Sequence, residues 1–191
     1  SRRIIHIFAF RLYSTYTCIM LHNELDIYSA YDFYKRYIYN ISHQQILTEH
    51  NFGIAGSVAS INWEVFASIL TKKQGKGGYG SDLVGYEVKS SVSKSGFEYQ
   101  YHLKGGKTKL LDDMKVDHVF ISYSPDYKDI DVRVVPGAVL KPTFEKWMPS
   151  LIENYEGPNR KQRFRKGISY GTVLANGDLV LSTRDGELVT S

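Results

Sequence analysis

The chain has 191 residues, a formal net charge of +4 and a sequence pI near 9.0. This length suits one domain with a single core better than two domains. The hydrophobic fraction of 42% is ordinary for a globular protein, and no stretch approaches the roughly 20 apolar residues that cross a membrane. A single cysteine excludes an internal disulfide and a zinc site built on several cysteines. The mildly basic balance is compatible with nucleic acid as a partner.

The beginning of the chain combines two arginines with a short apolar run. Arg11 and the missing small-residue cleavage site argue against a secretory leader, so we expect this segment to belong to the folded protein. Apolar residues then recur at three- and four-residue spacing, as in Ile27, Tyr31 and Tyr34. This spacing predicts that residues 1–60 form a helical N-terminal region.

A second helix and a strand are predicted after this region. Residues 61–70 keep the helical spacing, and Asn62 is the predicted N-cap of the helix. Residues 72–80 form a loop, because they contain too many glycines for regular structure. The pattern changes to a period of two over residues 83–92, which predicts a strand.

The rest of the chain alternates between strands and helices. A second strand is predicted over residues 97–103, and Ser95 and Gly96 favour a hairpin between it and the first strand. Further predicted elements are a short helix or turn at 107–115, strands at 119–123 and 130–135, a helix opened by Pro142 and closed by Gly157 and Pro158, and a hairpin turning at Asn176 and Gly177. Together they predict an α/β domain with a mixed central β-sheet flanked by helices.

Residues 80–91 carry the most chemical information in the chain. The pleat of the predicted strand places Glu87 and Lys89 side by side on one face, and Asp82 approaches from the turn before it. Two carboxylates and an amine are therefore expected to converge at the start of this strand.

This combination suits the hydrolysis of a phosphodiester bond. The reaction needs an activated water and neutralisation of the phosphate charge, and Mg²⁺ held by one or two carboxylates supplies both. Asp82 and Glu87 are the predicted metal ligands, together with the main-chain carbonyl of Val88. Lys89 would lie beside the attacking water. We expect Mg²⁺ as the cofactor, with Mn²⁺ as a substitute.

The segment resembles the PD-(D/E)XK nuclease superfamily, whose signature is an acid in a turn followed by Glu/Asp-X-Lys on the next strand. Asp82 and Glu87-Val88-Lys89 match this signature, although Ser81 stands where the family name places a proline. The resemblance covers residues 61–135, which it identifies as the catalytic core. It implies a restriction-endonuclease-like core. The flanks are not assigned by the resemblance, and the sequence pattern predicts a helical N-terminal elaboration over residues 1–60 and a C-terminal helix, basic loop and hairpin over residues 136–191.

The resemblance also assigns a role to Glu64. Many members of the superfamily carry one more acid on the helix before the strands, and Glu64 occupies that position, so it is a fourth candidate catalytic residue. The alternative is a helical glutamate that faces solvent. For the whole motif, the alternative is the solvated face of an edge strand with a surface ion pair.

The densest cationic run suits contact with DNA. Its basic residues are Arg160, Lys161, Arg163, Arg165 and Lys166. Arg163 and Arg165 would face alike in an extended segment, and we expect one of them to contact a base. The alternative is a solvated basic loop that touches only phosphates.

Other polar residues are candidate contacts to the DNA backbone. Lys72, Lys73 and Lys76 lie beside the catalytic turn and suit phosphate binding, and Ser90 and Ser91 follow Lys89 directly. For this serine pair the alternative is that it caps the turn. Lys104, Lys107 and Lys109 would extend the basic surface. The histidines at 43, 50, 102 and 118 lack metal-site spacing and are interpreted as structural or surface residues.

The sequence therefore predicts a type II restriction endonuclease, acting with Mg²⁺ on double-stranded DNA at a short palindromic site. Two-fold symmetry of the target predicts a homodimer, in which the aromatic N-terminal helices would serve dimerisation and DNA wrapping. The chain has no P-loop, so no nucleotide cofactor is expected, and a prokaryotic cytoplasm is the expected location. The alternatives are a repair or junction-resolving nuclease on the same core and a DNA-binding module without catalysis.

Overall fold

A five-stranded sheet and a separate two-stranded sheet, with helices around them, form the part of the chain that the computed structural model describes. This part comprises residues 25–78, 80–158 and 160–189. It is a mixed α/β fold with a central sheet flanked by helices and a helical N-terminal region, as predicted. The expectation that the first 24 residues are folded and helical lies outside the described residues.

In the described part of the chain, which starts at residue 25, four helical segments precede the first strand. They are α1 (Ile27–Phe33), a π-helical turn (Tyr34–Ile38), α2 (Ile41–Glu49) and α3 (Ser60–Thr71). The predicted N-cap of α3 is wrong, because the helix begins two residues before Asn62 and follows Ala59. Asn62 lies in the first turn, where its side chain donates instead to the carbonyl of Tyr37. None of the described helices is both long enough and apolar enough to cross a membrane.

The central sheet has the order β1–β3–β4–β6–β7. Its strands are β1 (Tyr86–Val92), β3 (Asp117–Tyr123), β4 (Ile130–Val135), β6 (Asp178–Arg184) and β7 (Glu187–Leu188). β1 pairs in parallel with β3, and all other pairs are antiparallel. The parallel pair requires a crossover, and helix α4 (Gly106–Asp113) lies within it.

The second sheet is a two-stranded ribbon of β2 (Phe97–His102) and β5 (Arg163–Ile168), paired antiparallel. The predicted hairpin between β1 and β2 is therefore wrong, because the two strands belong to different sheets. Burial explains why the two strands separate. β1 pairs with β3, whose centre is fully apolar, whereas β2 buries every second residue, an aromatic one, on the inner face of the ribbon. The turn residues Ser95 and Gly96 reverse the chain without setting the pairing.

The helix after β4 begins earlier than predicted. α5 spans Gly137–Glu156, so Pro142 lies inside the helix instead of opening it. The start is fixed by Asp117, whose carboxylate accepts a hydrogen bond from the Gly137 N–H at 2.9 Å. Buried Leu140 and Phe144 hold the helix across the proline by packing. Gly157 ends the helix, as predicted.

The hairpin predicted at Asn176 and Gly177 is also wrong. These residues end a short helix, α6 (Tyr170–Asn176), which begins at the N-cap Ser169. The hairpin of this region connects β6 to β7 instead, through Asp185 and Gly186, which both have positive φ (51° and 80°). Two consecutive positive φ values are what a tight two-residue hairpin turn requires.

Two hydrophobic cores lie on opposite faces of the central sheet. The first core packs α1 and α3 against residues such as Val88 and Ile121. The second packs the ribbon, α4 and α5 against residues such as Phe120. Because side chains alternate along β1, Val88 faces the first core, while Glu87 and Lys89 face the second. Glu87 and Lys89 therefore lie beneath the ribbon and α4.

The hairpin glycine Gly186 provides a test of this packing. An added Cβ would overlap the ring of Tyr39 and would also meet a φ of +80°. We expect Gly186→Ala to lower the free energy of unfolding by about 3 kcal/mol, since strain and overlap add. Gly56→Ala, with positive φ but open space, should cost about 1 kcal/mol. Gly53→Ala has neither problem and should be nearly neutral. Urea denaturation of the three variants gives this ranking, and equal stabilities would contradict it.

Candidate active site

Glu87 is the centre of a buried cluster of charges. Its side chain is 0% exposed, and its Oε1 accepts hydrogen bonds from Lys89 Nζ at 2.6 Å and Lys109 Nζ at 2.7 Å. Burial alone would raise the pKa of Glu87, but the charges of Lys89 and Lys109 outweigh it and hold the pKa below its usual value. Glu87 is therefore ionised at neutral pH.

Asp82 is locked to the same strand by two reciprocal hydrogen bonds. Its backbone N–H donates to Glu87 Oε2 at 3.2 Å, and its Oδ2 accepts from the Val88 N–H at 2.9 Å. The hydroxyl of Ser81 donates to the Leu83 carbonyl and holds the turn. Burial and the charge of Glu87 raise the pKa of Asp82. The turn thus brings the side chains of Asp82 and Glu87 together, and the Val88 backbone is hydrogen-bonded to Asp82.

Glu64 also belongs to this cluster. It lies on α3 and is half-buried, so part of its side chain still faces solvent. Burial and the negative charge of Asp82 raise the pKa of Glu64, and Glu87 adds to the effect. The positive charges of Lys89 and Lys109 oppose this effect, so Glu64 senses both the acids and the lysines of the cluster.

The carboxylates provide hard oxygen donors of the kind that Mg²⁺ prefers. Among the described residues, no three His, Cys, Asp or Glu side chains are grouped as a ready metal site. Mg²⁺ keeps several waters, however, and is commonly held by only one or two carboxylates. Asp82 Oδ1 takes no hydrogen bond from the described residues, and Oδ2 takes one from Val88. Asp82 Oδ1 is therefore an oxygen donor that remains available at the site, whereas both carboxylate oxygens of Glu87 already accept hydrogen bonds.

The structure adds Lys109 to the cluster, a residue that sequence reasoning placed only on a basic surface. It lies on α4, and besides Glu87 its Nζ contacts the Gly80 carbonyl at 3.0 Å and Asp113 Oδ1 at 3.3 Å. Burial alone would lower the pKa of Lys109, but Glu87 and Asp113 raise it. The signal that could have found it is the four-residue spacing of Lys109 and Asp113 on a helix.

Asp113 connects the cluster to the ribbon. It is fully buried, and it accepts a hydrogen bond from the hydroxyl of Tyr101 on β2 at 2.9 Å. Burial, followed by the charge of Glu87, raises the pKa of Asp113 to about 7. Tyr101, Asp113, Lys109 and Glu87 thus form a continuous chain of hydrogen bonds from the ribbon to the site.

His118 and Tyr99 lie next to this chain. The Tyr99 hydroxyl is 2.8 Å from His118 Nδ1, and His118 Nε2 is 2.8 Å from the Asp113 carbonyl. Burial raises the pKa of Tyr99 well above its usual value and lowers the pKa of His118 to about 4. His118 is therefore neutral, accepting at Nδ1 and donating at Nε2. The Tyr99 ring lies 5.0 Å below Lys89 Nζ and supports that ammonium.

The residues predicted to bind DNA lie in three places. Lys72, Lys73 and Lys76 are exposed in the loop before the Asp82 turn. Ser90 is half-buried, and the Ser91 hydroxyl donates to the Gly96 carbonyl at 3.0 Å, which matches the alternative that it caps the turn. The basic run from residue 160 leads into β5, where Arg163 and Arg165 are both exposed on one face.

Comparison with known proteins provides no family for this chain. No protein-family model matches it, and no curated protein matches it.

The neutral state of His118 makes stability depend on pH. Unfolded imidazole takes up a proton near pH 6.5, whereas folded His118 does so near pH 4. Between these values the unfolded chain binds more protons, so stability present above pH 6.5 is lost as the pH falls towards 4. The loss due to His118 is about 3 kcal/mol in total.

We expect His118→Gln to remove this component. The difference in unfolding free energy between wild type and His118→Gln, measured by denaturation from pH 7.5 to 4, should shrink as the pH falls. His43→Gln, at an exposed position, should leave the pH profile unchanged. A constant difference between wild type and His118→Gln would show that His118 is not buried in its neutral form.

Proposed function

We propose that this chain is a metal-dependent nuclease that hydrolyses phosphodiester bonds in double-stranded DNA, of the type II restriction kind. The observation that carries the proposal is the convergence of Asp82, Glu87 and Lys89 in one buried cluster. With no relative matched, the support comes from this geometry and from the likeness of the motif to the PD-(D/E)XK pattern.

Burial argues for chemistry over the alternative of a surface ion pair. The two partners of a surface ion pair on an edge strand would both be solvated. Here Glu87 is fully buried, and the side chain of Lys89 is only 18% exposed. Buried charges carry desolvation penalties that their attraction does not reliably recover, so they are poor devices for stability. Perturbed carboxylates and lysines concentrated at one place are typical of catalytic sites.

Each side chain has a definite role in the proposed reaction. Asp82 and Glu87 would hold Mg²⁺, which supplies Lewis-acid activation and neutralises phosphate charge. Lys89 presents its ammonium to the attacking water and to the phosphate oxygen. Glu64 orients water at the edge of the site, and Lys109 fixes the orientation of Glu87. The Gly-rich loop brings Lys72, Lys73 and Lys76 to the flanking phosphates.

We further propose that the active form is a homodimer in a prokaryotic cytoplasm, as for restriction enzymes that cut both strands of a palindrome. The N-terminal helices support a dimer interface, since Tyr28 and Tyr37 are 74% and 58% exposed. Aromatic side chains are enriched at such interfaces. Sedimentation equilibrium tests the homodimer by measuring the mass in solution, which should be twice that of one chain.

The proposed activity predicts discrete cutting of DNA. Incubation of the protein with a plasmid and Mg²⁺ should give defined fragments, and EDTA should abolish them. Lys89→Ala should lower the cleavage rate at least about 100-fold, because the water loses its ammonium partner. Lys115→Ala removes an exposed lysine near the end of α4 and should leave cutting unchanged.

The outcomes separate the alternatives. Cutting of four-way junctions in preference to the plasmid would favour the junction-resolving nuclease. DNA binding without cutting in Mg²⁺ or Mn²⁺ would contradict the enzyme and leave a binding module. Fragments that persist in Lys89→Ala would contradict the assigned site.

Lys109 offers a second test that does not depend on cleavage. Lys109→Met removes one of the two cations on Glu87 Oε1, so the site becomes more negative and should bind a divalent cation more tightly. We expect the affinity for Ca²⁺, measured by calorimetry without DNA, to rise about tenfold. Lys115→Met should bind Ca²⁺ like the wild type. Unchanged or weaker Ca²⁺ binding in a folded Lys109→Met variant would contradict a cation site at Glu87.

A further inference from the structure

The positive charge of the chain is concentrated on the ribbon and its ends. Residues 94–107 and 160–168 together contain eight lysines and arginines and one carboxylate, a net charge of +7. The whole chain carries +4, so all other residues together carry −3. A basic element on a chain that is otherwise acidic is the electrostatic pattern expected where nucleic acid is held.

The outer face of the ribbon carries side chains that can form directional hydrogen bonds. Gln100 lies directly opposite Arg165, and His102 lies opposite Arg163. Arg163, Arg165 and His102 are exposed, and Gln100 is partly so. Glutamine and arginine are the residue types that pair bidentately with adenine and guanine edges.

A carboxylate on this face distinguishes base contact from simple phosphate contact. Glu98 is exposed among the cations, where it accepts a hydrogen bond from Gln100 Nε2 at 2.6 Å. Arg165 approaches it to 3.9 Å. A carboxylate would repel a phosphate, whereas it accepts a hydrogen bond from the amino group of cytosine. The position of Glu98 therefore favours base contact over contact to phosphates alone.

The dimensions of the ribbon match the major groove of B-form DNA. Two strands about 5 Å apart, with their side chains, fit a groove about 12 Å wide. Side chains two residues apart on one strand are about 7 Å apart, which corresponds to about two base-pair steps of 3.4 Å. The array of Gln100, His102, Arg163 and Arg165 therefore has the spacing needed to contact neighbouring base pairs.

The inner face of the ribbon contacts the candidate active site. Tyr99 lies beneath Lys89, and Tyr101 donates to Asp113. The two faces are thus fixed in one rigid element, so a base held on the outer face would be at a set position relative to Glu87. Resting on the proposed nuclease function, we propose that this ribbon enters the major groove of double-stranded DNA and that Gln100, Arg165 and their neighbours select the base sequence.

A binding selection tests this proposal without cleavage. Wild-type protein in EDTA is used to select from a library of randomised DNA duplexes, and the bound fraction is sequenced. We expect an enriched motif. Gln100→Ala and Arg165→Ala should each lose roughly 10- to 100-fold of the discrimination at one or two positions and keep the rest of the motif. Thermal unfolding establishes that both variants remain folded.

Lys161→Ala is the matched control, because Lys161 is exposed just outside β5. The Lys161→Ala variant should bind all DNA sequences more weakly and select the same motif as the wild type. The slope of log affinity against log salt concentration should fall by about one. Duplex RNA of the enriched sequence should compete poorly, since its deep and narrow major groove excludes a ribbon.

Three results would overturn the proposal: no motif for the wild type, weaker binding of both ribbon variants with the motif intact, or equal competition by duplex RNA. Cleavage in Mg²⁺ is scored separately. A selected motif without cleavage would leave the ribbon proposal standing and contradict the nuclease. If the ribbon variants cut DNA at the same sites as the wild type, the nuclease would stand and the ribbon proposal would be contradicted.

Discussion

An ionised carboxylate with no contact to water has to be neutralised by its neighbours, and Glu87 is neutralised by two lysines from different elements. Lys89 comes from the same strand, and its position follows from the pleat. Lys109 comes from α4, so this helix has to pack against β1 in the position that brings Lys109 Nζ to Glu87. This contact fixes where the crossover helix lies relative to β1, the edge strand of the central sheet.

The same pairing connects parts of the chain that would otherwise be independent. Lys109 reaches the Gly80 carbonyl and so holds the glycine-rich loop, and through Asp113 it reaches Tyr101 on the ribbon. Burying this cluster carries a desolvation penalty, and well-packed apolar residues of similar volume are often more stable than buried ion pairs. We therefore do not expect these charges to be the main source of stability at this place.

Local patterns predicted most of the elements and part of the site. The exceptions are β5, which was interpreted as a basic loop, and α6, which was interpreted as one arm of a hairpin. The alternation that places Glu87 beside Lys89 is a property of a single strand, and it is present in the structure. Strand pairing was not predictable in this way, because the partner of β2 is β5, which lies beyond two strands and a long helix. Turn signals also misled: the predicted hairpin fell at Asn176, where a helix ends, while Asp185 and Gly186 form the real one. Lys109 was missed because its role depends on how α4 packs.

The ribbon joins His102 to Arg163, 61 positions further along the chain, whereas β3 pairs with its neighbour β4. Closing so long a loop carries a larger entropy penalty than closing the loop between neighbouring strands. During synthesis β2 has no partner strand until β5 has followed it. Until then, Tyr99 and Tyr101 lack the paired strand that holds them against Lys89 and Asp113.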